Sequence, residues 1–212
     1  MRIAIALLSF VIAAAHAAGT ATPTSATTRA PTPAAGAATP HAQTLKAGVF
    51  DPPRLAPDFA LQGTDGADLK MSRHRGKVVL LAFGYSSCQA VCPTTLATFA
   101  EARRRLGAAA AANVQVIYVT VDPDRDDPAH LKSYLANFDS TFLGGTGTPD
   151  QLAKVRTAYG ITAEKVPAGD SYSYSHSSFT YLIDRAGKIR ALMPYGHNPQ
   201  DYVHDLTILL GE

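Results

Sequence analysis

The stretch Lys77–Pro93, KVVLLAFGYSSCQAVCP, decides the fold. Lys77 to Tyr85 is a continuous apolar run, the pattern of a central strand covered on both faces. Ser86 and Ser87 end it. Pro93 then marks the first turn of a helix from Cys92 to about Leu106, because proline has no N–H to lose there. The loop between a buried strand and the next helix is where open α/β sheets set their chemistry. Two cysteines, Cys88 and Cys92, stand in that loop and at the helix start.

Outward from this stretch, Val114–Val121 (VQVIYVTV) reads as a second buried strand. Helices follow near Pro128–Phe138 and Pro149–Tyr159, with Asp127 as a cap ahead of a first-turn proline. Ser178–Asp184 and Lys188–Leu192, joined by Arg185-Ala186-Gly187, form a late hairpin, and Pro199–Leu210 closes the chain as a helix. Upstream, Asp58–Leu61 and Asp68–Met71 flank a Gly63–Gly66 turn, an N-terminal hairpin. This order predicts an α/β, thioredoxin-like fold with a central mixed sheet flanked by helices.

The chain has 212 residues, and its 46% hydrophobic content excludes wholesale disorder. A net charge of +2 with 17% charged residues leaves no basic footprint for nucleic acid. Arg2, the apolar run Ile3–Ala15 and the small residues Ala15-His16-Ala17-Ala18 read as an export signal over residues 1–18. As a helix that run spans about 20 Å, short of the ~30 Å hydrocarbon core, so removal after Ala18 is expected. If it were retained, it would tether the protein to the membrane. Residues 19–54 read as an Ala/Thr/Pro-rich disordered linker, with no Leu, Ile, Val, Phe or Tyr between Gly19 and Thr44. The folded domain is expected over 55–212.

Two cysteines are too few for a disulfide-stapled domain or a four-cysteine zinc site. If the helix reaches back to Cys88, the thiols are i and i+4, with β carbons about 5–6 Å apart. A helix amino terminus favours thiolate. Such a pair can close a disulfide or grip one soft metal ion, and the spacing leaves both open. A five-residue loop stabilises by only about 2 kcal/mol, against about 4.7 for a hundred residues, so a purely structural disulfide is inefficient here. A thioredoxin-type oxidoreductase would carry Trp-Cys-x-x-Cys, whereas this chain has no tryptophan and three residues between its cysteines. A thiol peroxidase would carry Thr or Ser where Tyr85 stands.

Cys88-Gln-Ala-Val-Cys92-Pro93, Asp122-Pro-Asp-Arg-Asp126-Asp-Pro128 and His176 ahead of Phe179-Thr-Tyr-Leu-Ile-Asp184 together resemble the Sco/SenC family. These are thioredoxin-fold copper chaperones for cytochrome c oxidase assembly. The resemblance runs from Pro57 to Leu210 and includes Phe83-Gly84-Tyr85 and Gly145-Thr-Gly-Thr-Pro149. It implies that Cys88, Cys92 and His176 bind one copper ion. It further implies a periplasmic or otherwise exported protein, delivering copper to the dinuclear site of oxidase subunit II or a related copper protein. Another periplasmic copper chaperone or a thioredoxin-like reductant would be further partners. The alternative is a thiol–disulfide reductase that uses Cys88 and Cys92 to keep the target cysteines reduced.

Coordination chemistry agrees with copper. Soft thiolates favour Cu(I), an added imidazole makes a set that Cu(II) accepts, and zinc would want a fourth ligand. The other histidines read blandly: His16 leaves with the signal, His41 is in the linker, and His74 and His130 are expected in exposed positions. His197 and His204 are surface or helix residues. Asp122 and Asp126 follow a strand end and fall near the site, supporting it or docking a partner. Tyr172, Tyr174 and Tyr181 either shield the metal or pack. Gln89, Ala90 and Ser175 replace the Pro, Asp and acid frequent in the family. Two carboxylates are thereby lost near the metal, which bears on redox tuning and partner choice.

Overall fold

The computed structural model describes residues 44–212. The expected export signal and the linker up to residue 43 lie outside the described residues. In chain order the elements are β1 (Gly48–Leu55), β2 (Leu61–Gly63), β3 (Asp68–Leu69), a 3-10 turn (Met71–His74), β4 (Val78–Gly84), α1 (Val91–Leu106) and α2 (Ala108–Ala111). Then follow β5 (Val114–Thr120), α3 (Pro128–Ala136), β6 (Leu143–Thr146), α4 (Pro149–Tyr159), β7 (Ala163–Ala168), β8 (Ser171–His176), β9 (Phe179–Ile183), β10 (Lys188–Pro194) and α5 (Pro199–Leu210). Eight strands form one mixed sheet in the order β1-β10-β9-β4-β5-β6-β2-β3, while β7 and β8 pair as a separate ribbon.

β4 and β5 run parallel, from Val78 opposite Val114 to Gly84 opposite Thr120. Every residue of both is buried, as continuous apolar runs require. Their carboxyl ends therefore emerge side by side at one rim of the sheet. α1 packs on α5, where Phe99 meets Tyr202 edge-on with centroids 5.2 Å apart, and α3 lies beside β6. The α/β thioredoxin-like expectation holds. So does the cap on α3: the Asp127 carboxylate accepts the His130 N–H at 2.7 Å. Thr148 and Asn198 close capping boxes on α4 and α5, and a good cap is worth about 1 kcal/mol. Among the described residues no helix is long and apolar enough to cross a membrane.

Three features depart from the sequence reading. Gly48–Leu55, most of it inside the expected linker, is a strand, so the linker boundary at 54 is corrected. β1 pairs antiparallel with β10, its register shifting between Val49 and Arg54. Pro52 and Pro53 fall within that shift on an edge strand, where a missing ladder donor is tolerated. Ahead of it, the Lys46 and Ala47 N–H groups donate to the buried Asp205 carboxylate at 2.7 and 2.9 Å. β6 was not expected at all. Nor was the β7–β8 ribbon, because Ser171–His176 reads as a polar loop.

Candidate metal centre

The rim formed by the ends of β4 and β5 carries both cysteines. After Gly84 the chain turns, and the Cys88 N–H donates to the Tyr85 carbonyl at 3.3 Å. Cys88 thus precedes α1 and is not part of it, which corrects the helical i, i+4 picture. Ala90, at the start of α1, offers no side-chain cap. The Cys88 sulfur acts there instead, accepting the Cys92 N–H at 3.5 Å. Both thiols are free; Cys88 is half-buried and Cys92 is 3% exposed. Cys92 fits so tightly because residue 84 is glycine. A β carbon there would fall 2.7 Å from Cys92 Sγ and 2.2 Å from the Tyr118 hydroxyl.

His176 arrives from the last position of β8, opposite Ala163. Its Nδ1 lies 2.8 Å from the Ser177 carbonyl, which can only accept, so Nδ1 carries the proton. The Nε2 lone pair is left free and stands 3.6 Å from Cys92 Sγ. Tyr85 joins the two supports. Its ring meets the His176 ring edge-on at 5.9 Å, and its hydroxyl accepts the Tyr174 N–H at 3.2 Å.

The two thiols divide their protons unequally. Cys88 is held down to about 5, chiefly by the hydrogen bond from the Cys92 thiol; burial opposes this, and N–H groups of Cys92, Ala90 and Val91 assist it. Cys92 is pushed above the usual thiol range by the same bond and by burial. At neutral pH the resting pair is therefore a Cys88 thiolate accepting from a Cys92 S–H.

The expected aspartates support this rim. Asp126 is fully buried and accepts from the Ser86 N–H at 3.1 Å, the Thr120 hydroxyl at 2.5 Å and the Ser86 hydroxyl. It fastens the Cys88 loop to the end of β5. His130, although exposed, reaches the Ser86 hydroxyl with Nε2 at 3.0 Å. Asp122, also fully buried, pairs with Arg125 and accepts the Tyr172 hydroxyl at 3.0 Å. The Arg125 guanidinium and the Lys165 ammonium sit 3.9 and 3.6 Å from the Tyr172 ring centroid. These contacts hold the ribbon that bears His176. Tyr172 and Tyr174 therefore belong to the site wall, whereas Tyr181 is core, its hydroxyl donating to the Tyr159 carbonyl.

A cleft of about 250 Å³ opens onto Cys92 and His176, walled by Thr95, Phe179, Tyr195 and His197. His197 is tied to Asp201 at 3.1 Å and His204 to Asp205 at 2.9 Å, in keeping with their bland reading. Among the described residues no three His, Cys, Asp or Glu side chains already enclose a metal position. Cys92 neighbours both Cys88 and His176, and the third side of that triangle is open. As a donor set, two sulfurs and one imidazole nitrogen suit copper in either oxidation state. Gly84, Ser86 and Tyr118 are contributors to which sequence reasoning gave no role at the site. Only Gly84 left a signal, as the small residue ending an otherwise bulky strand.

The chain is similar to known proteins in both sequence and fold. The SCO1/SenC family model matches residues 49–211. The SCO2-like protein of Rickettsia conorii is 34% identical, over 64% of this chain and 67% of its own. The structure of Bradyrhizobium japonicum ScoI with copper bound is 36% identical, covering 73% of this chain and 99% of that one with a TM-score of 0.68. Yeast Sco1 with copper bound is 29% identical, covering 73% and 87%, with a TM-score of 0.65.

Proposed function

The chain belongs to the SCO1/SenC family, and from that premise we propose that it carries one copper ion on Cys88, Cys92 and His176 and hands it to a copper site of cytochrome c oxidase. The observation that carries this reading is His176 Nε2 at 3.6 Å from Cys92 Sγ, with the Cys88 sulfur 3.5 Å from the Cys92 amide nitrogen. Closing the triangle requires only that Cys88 and His176 approach each other. Similarity to copper-bound relatives supports the cargo.

Transfer follows from the unequal exposure of the ligands. Cys88, half-buried and already thiolate, is the one an incoming donor can replace first. Cys92, deep against Gly84 and Tyr118, holds on longest. The ion then passes through a state shared with the acceptor's own thiolate or imidazole donors, of which subunit II of the oxidase is the proposed source. The expected export signal supports an exchange outside the cytoplasm.

The test is a copper titration of the reduced full-length protein. One copper per chain is expected, with tight binding abolished in Cys88→Ser and in Cys92→Ser. Wild-type affinity in either variant overturns the ligand assignment.

A further inference from the structure

Tyr118 lies within β5, is 1% exposed, and its hydroxyl has no hydrogen-bond partner among the described residues. Leaving a buried O–H unpaired costs about 1–3 kcal/mol, and phenylalanine would fill the same space without that cost. The hydroxyl faces one chemically active atom. The point 2.2 Å from it, where a Gly84 β carbon would sit, is also 2.7 Å from Cys92 Sγ. Oxygen and sulfur therefore lie within about 5 Å of each other.

We propose that Tyr118 is a positioning residue whose hydroxyl donates to the Cys92 sulfur once that sulfur is a copper-bound thiolate. The inference rests on the reading of Cys92 as a copper ligand. A thiol sulfur is a weak acceptor, whereas an anionic acceptor makes the shorter and stronger bond. The hydroxyl that is unpaired beside the S–H is thus satisfied on loading. Hydrogen bonding around a copper-bound cysteine sulfur tunes the potential of the metal. By drawing electron density from that sulfur, Tyr118 favours Cu(I) over Cu(II). Gly84 serves the same arrangement by leaving room for oxygen and sulfur together.

The experiment uses full-length Tyr118→Phe, with Tyr181→Phe as a core control that loses its bond to the Tyr159 carbonyl. In Tyr118→Phe loaded with Cu(II), the sulfur-to-copper charge-transfer band is expected to move to longer wavelength. The Cu(II)/Cu(I) potential is expected to fall, while the metal-free thermal midpoint stays the same or rises. Tyr181→Phe is expected to lower the midpoint and leave the band in place. An unmoved band and potential in Tyr118→Phe overturn the proposal, as does a lowered metal-free midpoint with an unmoved band. Cys92→Ser separates the two readings. If it loses copper while Tyr118→Phe is silent, only this inference fails; if it keeps copper, the ligand assignment beneath it fails.

Discussion

His176 Nε2 stands 3.6 Å from Cys92 Sγ across 84 positions of the chain. The two donors rest on unlike supports. Cys92 is set into the packed rim of the main sheet, between Gly84 and Tyr118. His176 ends a ribbon outside that sheet, held by Tyr172, Asp122 and Arg125 and by the Tyr85 hydroxyl. One proposed ligand is therefore fixed by core packing and two are carried by a loop and a ribbon, an arrangement suited to taking and releasing an ion.

The position of Cys92 depends on Gly84. Gly84→Ala adds a β carbon where Cys92 Sγ and the Tyr118 ring already press. Overpacking of this kind costs about 1–3 kcal/mol, or about 2–12 °C in thermal midpoint for a domain of this size. Copper affinity is expected to fall more than about tenfold with it, since 1.4 kcal/mol of ligand displacement suffices. Thermal unfolding and a competition titration measure both effects. A variant that matches wild type in each would show that the rim is looser than described.

The sheet's centre was legible because β4 and β5 are apolar at nearly every position, a pattern only a doubly covered strand needs. Helix starts were legible from Asp127-Pro128 and Thr148-Pro149, where capping chemistry is local. Cys88, Cys92 and His176, the proposed ligands, were read from their neighbouring motifs, and of these the fold brings His176 Nε2 to 3.6 Å from Cys92 Sγ. β1 was hidden because Pro52 and Pro53 sit in a bulged edge strand with no alternation. β6 was hidden because two of the four residues of Leu-Gly-Gly-Thr are glycines, which strands disfavour; a β carbon on Gly144 would strike Leu131 at 2.6 Å. The ribbon was hidden because its stability comes from Tyr172 clasped by Arg125 and Lys165, contacts made at long range. The Tyr118 hydroxyl was hidden for the opposite reason: in sequence it is one more large residue of a buried strand.

That clasp gives the next expectation. Arg125→Ala leaves the Asp122 carboxylate fully buried without its cation. Breaking a buried pair from one side costs about 3–5 kcal/mol, reduced here to about 2–4 because Arg125 keeps 27% of its side chain exposed. The loss is expected mainly in the ribbon. Hydrogen exchange across Ser171–His176 should quicken while the amides of β4 and β5 change far less. Uniform quickening, or none, would show that Arg125 does not hold the ribbon.

The unequal thiols set the proton count of loading. At pH 7.5 Cys88, with its value near 5, is already thiolate before copper arrives. Cys92, pushed above the usual range, is still S–H and must lose its proton to bind. About one proton is therefore released per Cu(I), and apparent affinity climbs about tenfold per pH unit around neutrality. Titration calorimetry in two buffers of different ionisation enthalpy counts that proton. Release of two would mean that both thiols rest protonated and that the Cys88 loop does not stabilise its anion.

The last expectation separates carrier from reductase. Disulfide exchange needs an attacking thiolate and a resolving thiol, which Cys88 and Cys92 supply without any imidazole. Copper carriage asks more. Cu(I) can rest between two thiolates, whereas Cu(II) is harder and gains from nitrogen donation. His176→Ala is therefore expected to keep Cu(I) binding and to weaken Cu(II) by at least the ~10–100-fold that loss of a mere supporting partner costs. Reduction of an oxidised target peptide should survive largely intact. In cells whose own copy is removed, the variant should fail to restore cytochrome c oxidase when copper is scarce and recover in part when copper is plentiful. Full restoration at scarce copper would sink the carrier reading, because the imidazole that the fold brings to Cys92 would then be doing nothing the oxidase requires.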